Sequence, residues 1–487
     1  MPHLDRRLVL GLLVLAACPR GEPSEVPEPA PLLGSGSRNA PEPEPSPAPT
    51  VPDGPLYYRG EIILPVGGPL VSYVELRPEG EGWVGTITIP VQGVYDAALG
   101  EIELVPGTLR FAIPAAGAHF EAGLVSDGTA SECRFEQGGV ELGCTLERVE
   151  ESVLTAVRNP ERPQTPKPPF PYDVVEVGYD NDTDGVHLAG TLTVPPGPGP
   201  YPAALLITGS GAQDRDESLM GHKPFWVLAD DLTRRGIAVL RVDDRGVGGS
   251  TGDLSQSDGA ALARDVAAGV AFLRAHERID PQRVGLVGHS EGGILGPRVA
   301  AEDPKVAFVV MMAGTGVPGH AVIREQSVAI LRANGAPADT IELVRNRQAR
   351  AMEVVIGPAD DDSARAQLEE MVGPRGASMV TPWFRSFARY DPAPALTKLR
   401  CPVLVLQGEL DLQVLPEQNL PAIEAALKAN RKRVTVQRLP GLNHLFQPAN
   451  SGSPEEYAAI EQTLDPGVLT IIGEWIVAQT AAKAGRR

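Results

Sequence analysis

From about residue 172 onward the chain keeps to one alternation, a short apolar run of β-formers followed by a helical stretch, and this limits its fold more than any other feature. The runs are "AALLITG", "IAVLRVDD", "VGLVG", "VAFVVMMAG", "PVLVLQG" and "VTVQRL", with helical stretches near Phe225 to Arg235, near Ala260 to Arg278 and from Glu291. Strands alternating with helices imply a largely parallel sheet covered on both faces. There is no internal repeat.

At 487 residues the chain has room for two folded units with flanking segments, and a hydrophobic content of 42% supplies a sizeable core. A net charge of -19 repels phosphates at long range, which argues against nucleic acid as a partner. The chain opens with Arg6 and Arg7, an apolar run from Leu8 to Ala17, and small residues before Cys18. That is the pattern of a secretory signal, and the run is about half the length needed to cross a bilayer as a helix. The ending Leu15-Ala16-Ala17-Cys18 resembles a bacterial lipoprotein signal over residues 1–18, which implies that Cys18 becomes the lipid-bearing first residue of the mature chain. The alternative is an ordinary secretory peptide with an incidental cysteine. Residues 19–55, typified by "PEPEPSPAPT", are too poor in branched and aromatic side chains to fold and read as a disordered spacer.

Residues 56–150 carry short runs such as "WVGTITIP", "LRFAIP" and "VELGCTL" between glycine and proline turns, which predicts a small all-β domain. Cys133 and Cys144 flank "RFEQGGVELG". A two-residue turn at Gly138-Gly139 sets Gln137 opposite Val140 and, counting outward, Cys133 opposite Cys144. Directly opposed Cα atoms lie about 4.5 to 5.5 Å apart, which suits a disulfide, and an exported chain can form one. Two buried reduced thiols are the alternative reading, while Cys401 reads as a core residue. A proline-rich linker at 151–171 separates this domain from the alternating unit at 172–487.

Within that unit "VGLVGHSEGG" sets Ser290 between glycines directly after an apolar strand and before a helix. A serine hydroxyl is a weak nucleophile that needs a base, an exposed position and donors for the developing oxyanion. A sharp strand-to-helix turn supplies the exposure and aims helix N-terminal amides at the reaction centre. The same G-x-S-x-G spacing recurs at Gly248 to Gly252, but Ser250 lies several residues past its strand with no immediate helix, so context favours Ser290. Downstream, "PVLVLQGELDLQV" places Asp411 in a loop at a strand's carboxyl end, with Glu409 as the competing acid. His444, in "LPGLNHLFQ", is the only histidine after Asp411.

These segments, together with "ITGSGAQDRDE" and "LADDLTRRGIAVLRVDDRGVGGSTGD", resemble the α/β-hydrolase superfamily from about residue 170 to the end, nearest to bacterial serine esterases related to the serine aminopeptidases. The resemblance implies an α/β-hydrolase fold of mostly parallel sheet with helices on both faces. It makes Ser290 the nucleophile, His444 the base and Asp411 its orienter. The oxyanion hole would use the amides of Glu291 and Ser210, although the Thr208-Gly209-Ser210-Gly211 loop departs from the His-Gly form common in the superfamily. The mostly helical stretch at about 315–399 falls where this superfamily places a cap, and its Trp383, Phe384, Phe387 and Tyr390 read equally as an acyl pocket or a packing stripe. The "DDRGVG" loop lacks the full dinucleotide pattern and reads as structural.

The expected protein is an exported, lipid-anchored serine hydrolase cleaving small carboxylic esters through an acyl-enzyme, with no cofactor and no metal. An aminopeptidase or amide hydrolase with the same triad, and a catalytically inactive binding lipoprotein, are the alternatives.

Overall fold

The structure is a computed structural model that describes residues 54–481 except 65–68, 93, 126–128, 138, 159, 161, 374–375 and 377–378. Cys18 and nearly all of the proline-rich spacer lie outside the described residues. The chain divides into two compact units.

The first unit is built from β1 (Leu56–Ile62), β2 (Leu70–Glu79), β3 (Gly82–Ile89), β4 (Val94–Ala98), β5 (Gly100–Val105), β6 (Thr108–Ile113), β7 (Ala118–Leu124), β8 (Ala130–Gln137) and β9 (Val140–Arg148). The hydrogen-bonded order is β4-β3-β2-β1-β9-β8-β7-β6-β5, antiparallel throughout. Only Leu99 separates β4 from β5, and its N–H continues the ladder to the Gly85 carbonyl of β3. The two ends of the order are therefore halves of one bent strand, the first paired with β3 and the second with β6. β9 bends in the same way, pairing with β8 through Val140–Gly143 and with β1 through Cys144–Arg148. The bends in β4–β5 and in β9 thus carry the ladder from one antiparallel sheet into a second. The pleat sends Leu56, Tyr58 and Ile62 inward, against Leu76, Phe111, Phe120 and Leu146.

The register of β8 on β9 is the one counted from the sequence, Gln137 opposite Val140 and Arg134 opposite Gly143. Cys133 and Cys144 form a disulfide with Cα atoms 5.2 Å apart.

The second unit holds β10 (Asp173–Asn181), β11 (Val186–Val194), β12 (Tyr201–Ile207), β13 (Ala238–Val242), β14 (Ile279–His289), β15 (Val309–Met312), β16 (Val403–Gly408) and β17 (Val434–Leu439). They form one 8-stranded sheet in the order β10-β11-β13-β12-β14-β15-β16-β17. β11 alone runs against its neighbours. The division between the units falls within α1 (Glu151–Arg158), and the helices beyond it are α2 (Pro224–Arg234), α3 (Gly259–Ala275), α4 (Gly292–Glu302), α5 (Gly319–Ala333), α6 (Ala338–Ile356), α7 (Asp361–Val372), α8 (Pro382–Arg389), α9 (Ala393–Lys398), α10 (Pro416–Ala426) and α11 (Pro466–Thr480). Along β12, Ala203, Leu205 and Ile207 enter the core under α3, α4, α9 and α10, while Ala204 and Leu206 enter the core under α2 and α11. Burial on both faces explains why the strands read as continuous apolar runs. The insertion between β15 and β16 is helical and has a small core of its own, including Met352, Val355, Leu368 and Phe384.

The segment 151–171, read from its prolines as a linker, begins with α1 and then docks on the second unit. The buried Arg162 guanidinium donates to the carbonyls of Met220, Ala458 and Ile460, and Gln164 Oε1 accepts the N–H groups of Thr463 and Leu464. Proline content reports an extended backbone, but these side-chain bonds depend on partners about 300 residues away in sequence.

The Cys133–Cys144 disulfide closes a short loop, so reducing it should cost the β unit roughly 3 kcal/mol of stability. Urea unfolding of the full chain with and without reductant, followed by the hydrogen-exchange protection of the β unit's amides, should show the loss in that unit, with the other unit's transition unmoved. Free thiols at both positions under non-reducing peptide mapping would contradict the pairing.

Candidate active site

β14 runs at the centre of the sheet and is buried from Val284 to His289, where the strand ends. Ser290 then takes φ 53°, Glu291 is already helical in backbone, and α4 begins at Gly292. A non-glycine residue in the left-handed region costs about 1–2 kcal/mol. It is held there by its N–H to the Met312 carbonyl (2.8 Å) and by its own carbonyl, which accepts from the Gly293 N–H (3.0 Å). The turn is too tight for side chains on either flank. A Cβ on Gly288 would stand 2.0 Å from the Gly292 carbonyl oxygen, and one on Gly292 would stand 2.1 Å from that of Ile207. The result is a half-buried Ser290 raised above buried neighbours at the head of a helix.

Asp411 follows β16 and is almost fully buried, whereas Glu409, two residues earlier, is exposed. Asp411 Oδ2 accepts from Gln407 Nε2 (2.6 Å) and from the His444 ring at Nδ1 (2.8 Å). Its Oδ1 accepts the N–H groups of Gln413 and Val414, both at 2.8 Å. With four donors aimed at it, the carboxylate serves as an acceptor on every side, so His444 Nδ1 carries the proton and Nε2 is left as the ring's acceptor. The geometry thus separates the two candidate acids. Only Asp411 meets the histidine.

The loop after β12 is fastened by buried acids. Asp244 accepts from Thr208 Oγ1 (2.7 Å) and the Gln213 N–H (3.0 Å), and Glu217 Oε1 accepts the Gly209 N–H (2.6 Å). Asp243 takes the Arg215 guanidinium and the N–H of Gly249. Among the described residues neither the Ser210 nor the Glu291 backbone N–H has a protein acceptor. Ser250 Oγ bonds the Asp243 carbonyl and accepts the Ala189 N–H, which makes the second G-x-S-x-G serine a brace of the loop.

A cavity of about 60 Å³ lies behind this loop, lined in part by Tyr179, Asp244, Leu254, Leu262, Glu291 and Leu295. Burial pushes the Glu291 carboxyl up to about 7, against the lowering effect of the Trp383 indole N–H it accepts at 3.0 and 3.1 Å. Asp244 is raised well above the ordinary carboxylate range, also by burial. Trp383 thereby ties α8 to the turn, and its ring stacks on Phe387 at 5.9 Å. Phe384 instead packs into the core of the helical insertion, and Tyr390 lies under the Arg298 guanidinium. The stripe divides by contact: Phe384 lies in the insertion's core, while Trp383 packs against that core and also reaches Glu291.

Sequence reasoning placed no role on Glu217, His289, Gln407 or Asp244. The available signal was polarity in the wrong place: each sits at or just beyond the end of an apolar strand or within a quoted motif, where a buried polar group must have a partner. Among the described residues, no three His, Cys, Asp or Glu side chains gather as a metal ion would require.

The Glu291 shift has a sign that can be tested. An ordinary glutamate ionises near 4.5 and this one near 7, so between these values the unfolded chain has released a proton that the folded chain keeps. Stability attributable to Glu291 therefore falls as pH rises from about 4.5 to about 7, by a total of about 3 kcal/mol, and is level above that. Glu291→Gln retains an oxygen for the indole and removes the titration. It should be the more stable form at pH 8, with the gap shrinking toward pH 5 in urea unfolding; a gap independent of pH would contradict the shift.

Comparison with known proteins agrees with this architecture. Residues 160–460, more than half of the chain, match the profile of the Alpha/beta hydrolase family. Esterase EstD of Thermotoga maritima is 30% identical over 300 residues, which span 60% of this chain and 65% of that esterase. The chain thus covers just under two thirds of that relative's own length. An uncharacterized 31.7 kDa protein of Escherichia coli is 24% identical over 42% of this chain and 73% of its own. Among solved structures, the Pyrococcus furiosus esterase Pf2001 is 15% identical, with a TM-score of 0.40 over 66% of this chain and 98% of its own. With residues 160–460 matching that family's profile, the chain belongs to the alpha/beta hydrolase family.

Proposed function

We propose that the chain is an exported, lipid-anchored serine hydrolase that cleaves carboxylic esters through an acyl-enzyme. The observation that carries the reading is the Asp411–His444 hydrogen bond of 2.8 Å, which fixes the histidine tautomer a general base requires. The name of Esterase EstD, the relative at 30% identity, favours esters over amides.

In this reading Ser290 Oγ attacks the ester carbonyl carbon while His444 Nε2 takes its proton, and the carbonyl π electrons move onto oxygen. The N–H groups of Ser210 and Glu291 receive that oxyanion. Collapse expels the alcohol oxygen, which takes the proton from His444, and leaves the acyl group on Ser290. A water then repeats the sequence, giving its proton to His444 and releasing the acid as Ser290 recovers its own. Asp411 stays an acceptor throughout and stabilises the imidazolium formed in each half. The helical insertion acts as the cap over the acyl pocket, with Trp383 and Phe387 facing it; the Trp383–Glu291 contact supports that placement.

Ser290→Ala should abolish hydrolysis of a chromogenic short-chain ester, whereas Ser250→Ala should retain activity because it only braces a loop. Asp411→Asn should lower kcat on the order of ten-thousand-fold by permitting the wrong histidine tautomer, and Glu409→Gln should stay within a few-fold of wild type. Full activity in Ser290→Ala would overturn the assignment. Fluorophosphonate labelling separates this enzyme from an inactive binding lipoprotein, and comparing short acyl esters with aminoacyl amides separates an esterase from an aminopeptidase.

The anchor rests on the sequence alone. Cys18→Ser should move the protein from the membrane fraction to the soluble fraction with unchanged catalytic constants, because a proline-rich spacer separates residue 18 from the fold. An unchanged membrane pool would refute lipidation at Cys18.

A further inference from the structure

His289, the residue before the nucleophile, is buried and has an oxygen acceptor at each ring nitrogen. Nδ1 lies 2.9 Å from Glu217 Oε1, and Nε2 lies 3.0 Å from the backbone carbonyl of His444. A carbonyl oxygen can only accept, so Nε2 carries a proton. Glu217 Oε1 already accepts the Gly209 N–H at 2.6 Å, and imidazole is a stronger base than a carboxylate by about two pKa units, so the proton between Oε1 and Nδ1 belongs to the ring. Both nitrogens then donate, which only the imidazolium can do. The surroundings agree: burial depresses the ring's basicity, but the Glu217 carboxylate, the His444 carbonyl and the Asp411 charge together outweigh it and His289 is raised above its ordinary value.

The three bonds join three separate loops. His289 ends the strand that presents Ser290, its Nε2 grips the backbone of His444, and through Glu217 its Nδ1 grips Gly209, the neighbour of Ser210. The His289 and His444 rings lie 4.9 Å apart. Glu217 holds its place in the left-handed region, at φ 53°, a strained conformation for a glutamate that its two bonds maintain. The charged groups around the pair are Asp244, on the loop after β13, and the Asp411–His444 couple.

We propose that His289, held as the imidazolium by Glu217, is a positioning residue that sets the base loop and the oxyanion loop in register with the nucleophile. The inference rests on Ser290, His444 and the Ser210 amide acting as assigned above. It touches no substrate atom. Its effect is to hold the reacting groups to the sub-ångström placement that chemistry needs, where a displacement of about 1 Å costs about a hundredfold in rate.

Two variants and one spectrum test it on the full chain. Glu217→Gln keeps the side chain's shape and an oxygen at the atom that both Gly209 and Nδ1 meet, but removes the negative charge that holds the second proton on the ring; His289→Gln removes the second donor. Each should lower kcat on a short-chain ester about a hundredfold, with KM within threefold. In the wild type at about pH 6.5, where an ordinary histidine is half protonated, a histidine 15N resonance set that vanishes in His289→Gln should show both ring nitrogens protonated in most of the population, and in Glu217→Gln one of them should lose its proton. Wild-type kcat in Glu217→Gln, or a neutral His289 ring in the wild type, would overturn the proposal. Ser290→Ala run in parallel keeps the two readings apart. If it stays active, the triad assignment fails; if it is dead while Glu217→Gln is fully active, only the positioning role fails.

Discussion

The site depends on how closely the strand ending at His289 and the helix beginning at Gly292 approach each other. A methyl on Gly288 would fall 2.0 Å from the Gly292 carbonyl oxygen, closer than any packing tolerates. Removing both Cβ atoms lets the chain reverse within two residues, and that reversal lifts Ser290 out of the sheet while leaving its neighbours buried. The left-handed backbone at Ser290 is the conformational cost of this turn. Central placement in the sheet, with β12 and β15 on either side, gives the strain a rigid frame.

Around this frame the polar residues collect at the carboxyl ends of the parallel strands. Gln407 and Asp411 come from the end of β16, Asp243 and Asp244 from the end of β13, Thr208 from the end of β12, and His289 from β14. Within the strands a side chain sandwiched between helices loses water and needs a partner, so few such groups lie there, and those that do, such as Arg241 on Asp216 and Thr193 on Thr233, are paired. At the strand ends the backbone splays into loops, and each carboxylate finds several donors. The same confinement leaves Glu291 with a single indole donor and moves its carboxyl up to about 7. Burial therefore does two kinds of work: it strengthens well-paired groups such as Asp411 and makes poorly paired ones such as Glu291 reluctant to ionise.

Much of this was legible in the chain. The apolar runs located the central strands, G-x-S-x-G between a strand and a helix singled out Ser290 over Ser250, and the turn count in "RFEQGGVELG" produced the Cys133–Cys144 register seen in β8 and β9. Local rules suffice there because turn length and pleat act over a few residues. They did not reach the contacts of the 151–171 segment, read from its prolines as a linker. Its Arg162 is buried against carbonyls near residues 220 and 460, and no local pattern contains that information.

The order of the elements, the glycine-flanked turn at Ser290 and the candidate acid and histidine were determined by sequence alone, because each is set by periodicity, glycine placement or position at a strand's end. Which of two nearby acids meets His444 was decided by tertiary structure: Glu409 and Asp411 differ by two residues in the chain, yet one faces solvent and the other lies buried under four donors. The split of the aromatic stripe, with Trp383 on Glu291 and Phe384 in the helical insertion's own core, was decided there too. So was the joining of Gly209, His289 and His444 through Glu217. A hydrogen bond between residues 72 or 155 positions apart leaves no periodic trace, since it exists only once the sheet has brought those loops to the same edge.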